Sequence, residues 1–117
     1  MIRASELISQ LKKPLPYSYY RTVDFLVEKS YLIKTRLYIK YNTFVQIYRN
    51  DEYNTTSFTL IVANKRVFAR DQIRGEWHRH PFNKPEKHNF SPNGVKPCTL
   101  SEFLNEADKI LRQLEIV

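Results

Sequence analysis

The sequence predicts an α+β domain: an antiparallel β-meander of about five or six strands, packed by one helix from each end of the chain. Three observations predict it. Between residues 21 and 71 the chain passes through successive segments rich in Val, Ile, Thr, Tyr and Phe, separated by short turn-forming stretches, which is strand composition at hairpin spacing. One of these segments alternates apolar and polar residues along most of its length. The C-terminal stretch instead carries its apolar residues at helical spacing behind a helix-start signal. With 117 residues, 42% of them hydrophobic, the chain can bury one modest core, so residues 1–117 are expected to form a single domain.

Ser5 to Lys12 reads as the first helix. Ser5 is placed to cap it, and Leu7, Ile8 and Leu11 fall on one helical face. Lys13-Pro14-Leu15-Pro16 ends it. Strands are expected at about Arg21–Lys29, Tyr31–Lys40, Thr43–Arg49 and Thr56–Ala63, and a fifth at Arg66–Asp71 pairs with the fourth as a hairpin. Asn50-Asp51-Glu52-Tyr53-Asn54 and Ala63-Asn64-Lys65 supply turn residues. In the second strand Ile33, Thr35, Leu37 and Ile39 share one face, and Lys34, Arg36, Tyr38 and Lys40 share the other. That is the pattern of a sheet with one side on a core and one in water. From Gln72 to Pro97 the chain is expected to be irregular, because Pro81, Pro85, Pro92 and Pro97 interrupt any regular element. Thr99 opens the last helix with a capping box, Thr99-x-x-Glu102, ahead of a stripe of Leu100, Phe103, Leu104, Ala107, Ile110, Leu111 and Leu114.

The net charge is +7 and is unevenly placed. Residues 99–117 carry four acidic and two basic side chains, and residues 1–98 carry 17 basic and eight acidic ones, a net of +9 for the body. Such a surface attracts polyanions, which makes nucleic acid the expected partner. Nucleotide-driven chemistry is not expected, because two glycines make no phosphate-cradling loop and neither Gly-rich phosphate motif occurs. No run reaches the roughly 18 apolar residues of a membrane helix, and Met1–Glu6 has no apolar signal region. The expected location is the cytoplasm. Cys98 is the only cysteine, so no internal disulfide forms, and it reads as a small buried side chain rather than a nucleophile.

The chemistry concentrates in Glu76-Trp77-His78-Arg79-His80-Pro81-Phe82, with His88 close behind. If this segment is extended, Glu76, His78 and His80 share one face while Trp77 and Arg79 take the other. Two imidazoles and a carboxylate on one surface can exchange protons near neutral pH. RNA carries its own nucleophile, the 2′-hydroxyl, so a base, an acid and a cation suffice to cut it. DNA lacks that group. A second reading is a metal site from His78, His80, His88 and Cys98, although H-x-H-x7-H-x9-C matches no finger or ribbon spacing. A third is structural: imidazoles satisfying backbone groups in a proline-rich loop. Trp77 and Phe82 read as packing residues.

Val67-Phe68-Ala69-Arg70-Asp71-Gln72, then Gly75 to Phe82, Lys84-Pro85-Glu86-Lys87-His88 and Thr99 to Leu104 resemble the TumE-type family of toxin–antitoxin toxins. Gln72 stands where an Asn is common in that family, and its His-His doublets appear here as single histidines. The resemblance implies a toxin acting on RNA, neutralised by a cognate DNA-binding antitoxin, and by position it points to Asp71, His78, His80 and His88. Taken together, the expectation is a ribonuclease that needs no metal and no cofactor. His78 and His80 exchange protons, Glu76 or Asp71 orients them, His88 completes the site, and Arg36, Lys40, Arg74 and Arg79 are the candidates to contact phosphate. The rival reading is a non-catalytic module whose basic face, with Tyr38, Phe44 and Tyr48, binds RNA or docks the antitoxin. A homodimer is compatible with either.

Overall fold

The computed structural model describes residues 2–82, 84, 86–92 and 94–117; Met1 and Pro85, both used above, lie outside the described residues. The elements are α1 (Ala4–Leu11), β1 (Thr22–Lys29), β2 (Leu32–Lys40), β3 (Thr43–Asn50), β4 (Thr55–Val62), β5 (Lys65–Ile73), β6 (Glu76–His80) and α2 (Leu100–Gln113). The six strands form one antiparallel sheet in sequential order, β1 to β6. This is the expected meander between two helices, and Glu76–His80 is its sixth strand. The prolines do not break that strand because Pro81 falls just beyond its last residue. The two tight hairpins after β4 and β5 turn on Ala63-Asn64 and Arg74-Gly75, all four with positive φ, as a two-residue turn matched to strand twist requires. No helix among the described residues is long and apolar enough to cross a membrane.

Both helices pack on the same side of the sheet. Strand alternation delivers Ile33 and Leu37 from β2, Val45 and Ile47 from β3, Phe58 and Leu60 from β4, Phe68 from β5 and Trp77 from β6 to that side, where they meet Leu7 and Leu11 of α1 and Phe103, Leu104, Ala107 and Leu111 of α2. Phe103 lies 5.5 Å from the ring centres of both Phe58 and Phe68, and Trp77 packs on Phe58 at 6.3 Å. At α2 the capping box is present in full: the Glu102 N–H donates to Thr99 Oγ1, and the Thr99 N–H donates back to the Glu102 carboxylate.

Two local features depart from what the sequence pattern suggests. Ser5 does not cap α1; the helix begins one residue earlier, and the Ala4 N–H donates instead to Asp51 Oδ1 at 3.0 Å, from the β3–β4 turn. The same carboxylate accepts from Arg49 Nε at 3.0 Å. Arg49 is fully buried on the helix side of β3. Its Nη1 donates to Thr56 Oγ1 at 3.0 Å and to Gln72 Oε1 at 3.2 Å. A cation in this position is tolerated because its donors are matched by neighbours on β4, β5 and the turn. On the same side Arg70 donates to Glu106 of α2 at 3.1 Å and to the Lys96 carbonyl at 2.7 Å, fastening the sheet to the last helix.

Removing Arg49 takes one donor from Asp51 Oδ1, leaving it the Ala4 N–H, and one from Gln72 Oε1, leaving it Thr56 Oγ1, and opens a cavity in the core. Arg49→Ala is therefore expected to lower unfolding free energy by about 3 kcal/mol or more, read from urea denaturation. A loss no greater than about 0.5 kcal/mol, the scale of a neutral surface change, would show that the network does not hold the sheet to α1.

Candidate functional site: a histidine cluster on the open sheet face

Among the described residues, no helix lies on the other side of the sheet. It collects Lys34, Arg36 and Tyr38 from β2, Phe44, Gln46 and Tyr48 from β3, Ser57 and Thr59 from β4, Asp71 from β5 and His78 and His80 from β6. Strand register lines these up in rows. Lys34, Tyr48, Ser57, Asp71 and His78 are successive partners across five strands, and Arg36, Gln46, Thr59, Ala69 and His80 form the next row.

The cluster lies at the β6 end of those rows. Asp71 Oδ2 is 3.3 Å from His80 Nε2 and 3.7 Å from His78 Nε2, and the two Nε2 atoms are 3.2 Å apart. The other carboxylate oxygen accepts from Ser57 Oγ at 2.8 Å, and Thr59 Oγ1 is 3.2 Å from that hydroxyl. Both rings are buried, at 4% and 3% exposure, in spite of the missing helix layer. His88 is exposed beside them, with its ring centre 5.0 Å from His78 and 4.5 Å from His80. Phe90 stacks on His88 at 6.0 Å and leans on His78 at 5.5 Å. The ligand nitrogens of the three histidines all lie within 4.8 Å of one another.

A bridge between Arg79 and Asn89 brings His88 here. The Asn89 N–H donates to the Arg79 carbonyl at 2.7 Å, and the Arg79 N–H donates to the Asn89 carbonyl at 3.3 Å. The chain thereby folds back on the outer edge of β6. It turns again so tightly that a Cβ on Gly94 would sit 2.1 Å from the Asn89 carbonyl oxygen. Only glycine fits there without moving the bridge.

Burial pushes the His78 imidazole toward its neutral form. The Asp71 carboxylate opposes that shift, while His80, His88 and the Arg66 guanidinium add to it. A neutral ring offers a lone pair, so His78 can accept a proton or bind a cation. Where two imidazole nitrogens face each other at 3.2 Å, one must carry the proton and the other accept it.

The structure thus places Asp71, His78, His80 and His88 together. Glu76 shares their face but sits exposed at the far end of β6, lining an open depression with Arg74, His78, His88 and Phe90. The carboxylate that meets the imidazoles is Asp71. Arg74 stands at the rim of this depression. Arg36 lies four strand spacings away, about 19 Å, where its Nε donates to Gln46 Oε1 at 3.0 Å and its guanidinium covers the Phe44 ring at 4.7 Å. Lys40 is exposed at the end of β2. Arg79, expected among the phosphate contacts, is on the helix side of β6, because odd and even positions of a strand face opposite ways. Cys98 belongs to the core beneath the start of α2 and does not join the histidines. Sequence reasoning passed over Ser57, Thr59, Arg66 and Phe90. The first two could have been found by carrying the β2 alternation across the hairpins, but Phe90 reaches the site only through the bridge at Asn89.

No protein-family model, no curated protein and no solved structure matches the chain.

The Cys98 thiol is pushed up from 9.0 to about 12 by burial, with the nearby Arg70 guanidinium opposing. Because a raised pKa keeps the thiol protonated, only about one molecule in a thousand is thiolate at pH 9. Alkylation by iodoacetamide is expected to stay slow in the native protein from pH 7 to 9 and to become fast, rising with pH, once urea unfolds it. Rapid native labelling would contradict the buried placement.

Proposed function

We propose that this protein is the RNA-cleaving toxin of a toxin–antitoxin pair, working by histidine acid–base chemistry. The observation that carries the reading is the His78–His80 contact, Nε2 to Nε2 at 3.2 Å with Asp71 beside both, at the end of a basic and aromatic sheet face. In this reading RNA lies across the open face. Tyr38 and Tyr48 offer surfaces for base stacking, while Phe44 lies buried beneath the Arg36 guanidinium, and Arg36, Lys34 and Lys40 meet phosphates away from the cut. Arg74, on the rim of the same depression as His78 and His88, offsets charge on the phosphate being cut.

The chemistry follows from the substrate. Neutral His78 takes the proton of the 2′-hydroxyl, whose oxygen attacks the adjacent phosphorus. His88, on the solvent side, gives a proton to the departing 5′-oxygen. Asp71, held by Ser57, stabilises the positive charge that His78 acquires, and the contact with His80 fixes its orientation. The products are a 2′,3′-cyclic phosphate and a 5′-hydroxyl. The basic body with its +9 charge suits an acidic segment of an antitoxin, which would then cover the same face. The TumE-type resemblance of residues 67–104 supports that assignment.

Purified protein incubated with end-labelled RNA in EDTA is expected to cut it and leave 2′,3′-cyclic phosphate ends, while DNA of the same sequence stays intact. The His78→Ala, His80→Ala double variant, shown to be folded by circular dichroism, is expected to be slower by about 100-fold to 10,000-fold. If RNA binds in a salt-dependent way but is never cut, and binding survives the double substitution, the protein is an RNA-binding module and the catalytic reading falls.

A further inference from the structure

We infer that His78, His80 and His88 form a binding site for one zinc ion. Three ring nitrogens converge within 4.8 Å, two from buried side chains fixed by the sheet and one from an exposed ring at the mouth. Two imidazole nitrogens held at about 2.0–2.1 Å from zinc, at the tetrahedral angle, stand roughly 3.3–3.4 Å apart. His78 and His80 already stand at 3.2 Å. The hydrogen-bonded pair therefore already stands close to the spacing a bridging ion requires, so that binding replaces the shared proton and draws the exposed His88 ring in.

The surroundings match the chemistry of a cation. Asp71 Oδ2, 3.3 Å from His80 Nε2 and 3.7 Å from His78 Nε2, lies within reach of the same point and brings a negative charge into a buried setting. Ser57 Oγ donates to the other oxygen of that carboxylate at 2.8 Å, the outer support that orients metal-binding groups. Nitrogen ligands with one carboxylate suit zinc over magnesium or calcium, which prefer all-oxygen shells. The sequence offers these three histidines, with Cys98, as one reading but without a recognised motif spacing, because the parts come from a strand and a folded-back loop. Cys98, the other soft ligand in the chain, is not part of it.

One consequence rests on the ribonuclease reading. An ion bound to all three imidazoles occupies the lone pairs that would accept protons, so zinc and acid–base cleavage exclude each other. Zinc would silence the enzyme, and its removal would release it.

Isothermal titration of zinc into EDTA-treated, re-dialysed protein tests the site directly, with cobalt(II) as a second probe whose visible spectrum reports nitrogen ligation. The expected result is one ion per chain with three-nitrogen character. The His88→Ala variant is informative because an exposed loop residue is changed and the buried pair stays in place; its affinity is expected to fall by at least about tenfold. Binding with no saturable single site, or His88→Ala binding as tightly as wild type, overturns the proposal. The same samples then meet labelled RNA. Cleavage that stops at one equivalent of zinc and returns with EDTA supports the exclusion. Cleavage that persists at saturation removes the exclusion but leaves the measured site standing. Absence of cleavage in every sample sinks the ribonuclease reading alone, since calorimetry decides the site.

Discussion

The sheet has six strands and only one of its faces is covered by helices, and most of the molecule follows from that. A strand sends alternate residues to opposite sides, so each of the six must supply apolar side chains to the helix side and something that tolerates water to the other. The helix side becomes the core of Ile33, Leu37, Ile47, Phe58, Phe103 and Leu111. The open side becomes a field of cations, hydroxyls and tyrosines, ordered into rows by register. Asp71, His78 and His80 occupy that field at its β6 end, where the segment after Pro81 returns to shelter them. An imidazole removed from water without a partner costs about 1–3 kcal/mol. These rings meet each other and the carboxylate, so burial and mutual contact arise together.

The helix side contains its own polar exception in Arg49. A guanidinium can lie in a core only when its donors are matched, and here the matching groups come from β4, β5 and the β3–β4 turn. Asp51 also accepts the first free N–H of α1. One carboxylate thus satisfies both a buried charge and a helix end, which leaves a conventional side-chain cap at Ser5 unnecessary. The buried charges are placed so that the sheet, the turn and the first helix depend on one another.

Much of this was legible in the sequence, and the limits have physical causes. The strict alternation of residues 33–40 revealed both faces, and Glu-x-His-x-His revealed that its three side chains would point the same way. Thr99-x-x-Glu102 marked the start of α2 to the residue. Arg49 was not legible as a core residue, because an arginine in a strand reads as solvent-facing until Thr56 and Gln72 are known to lie beside it. Arg79 looked like a phosphate ligand by charge, although its parity already put it on the far side. The role of Asp71 over Glu76 depended on hairpin register, since Asp71 pairs directly with His78 while Glu76 pairs with Ile73 at the hairpin's end. The approach of His88 depended on one bridge, between Arg79 and Asn89, that no local pattern announces.

The sequential strand order bears on how the site comes into being. Every strand pairs with its neighbour in the chain, so each ladder closes a short loop and none waits for a distant partner, the arrangement that favours rapid assembly. Ser57, Asp71, His78 and His80 all belong to the last two hairpins. They are joined by local ladders, whereas α1 is tied to an aspartate 47 residues away in the chain. The site's strand-borne groups thus depend mainly on local pairing, while the opposite face of the same strands is completed by the chain's last helix.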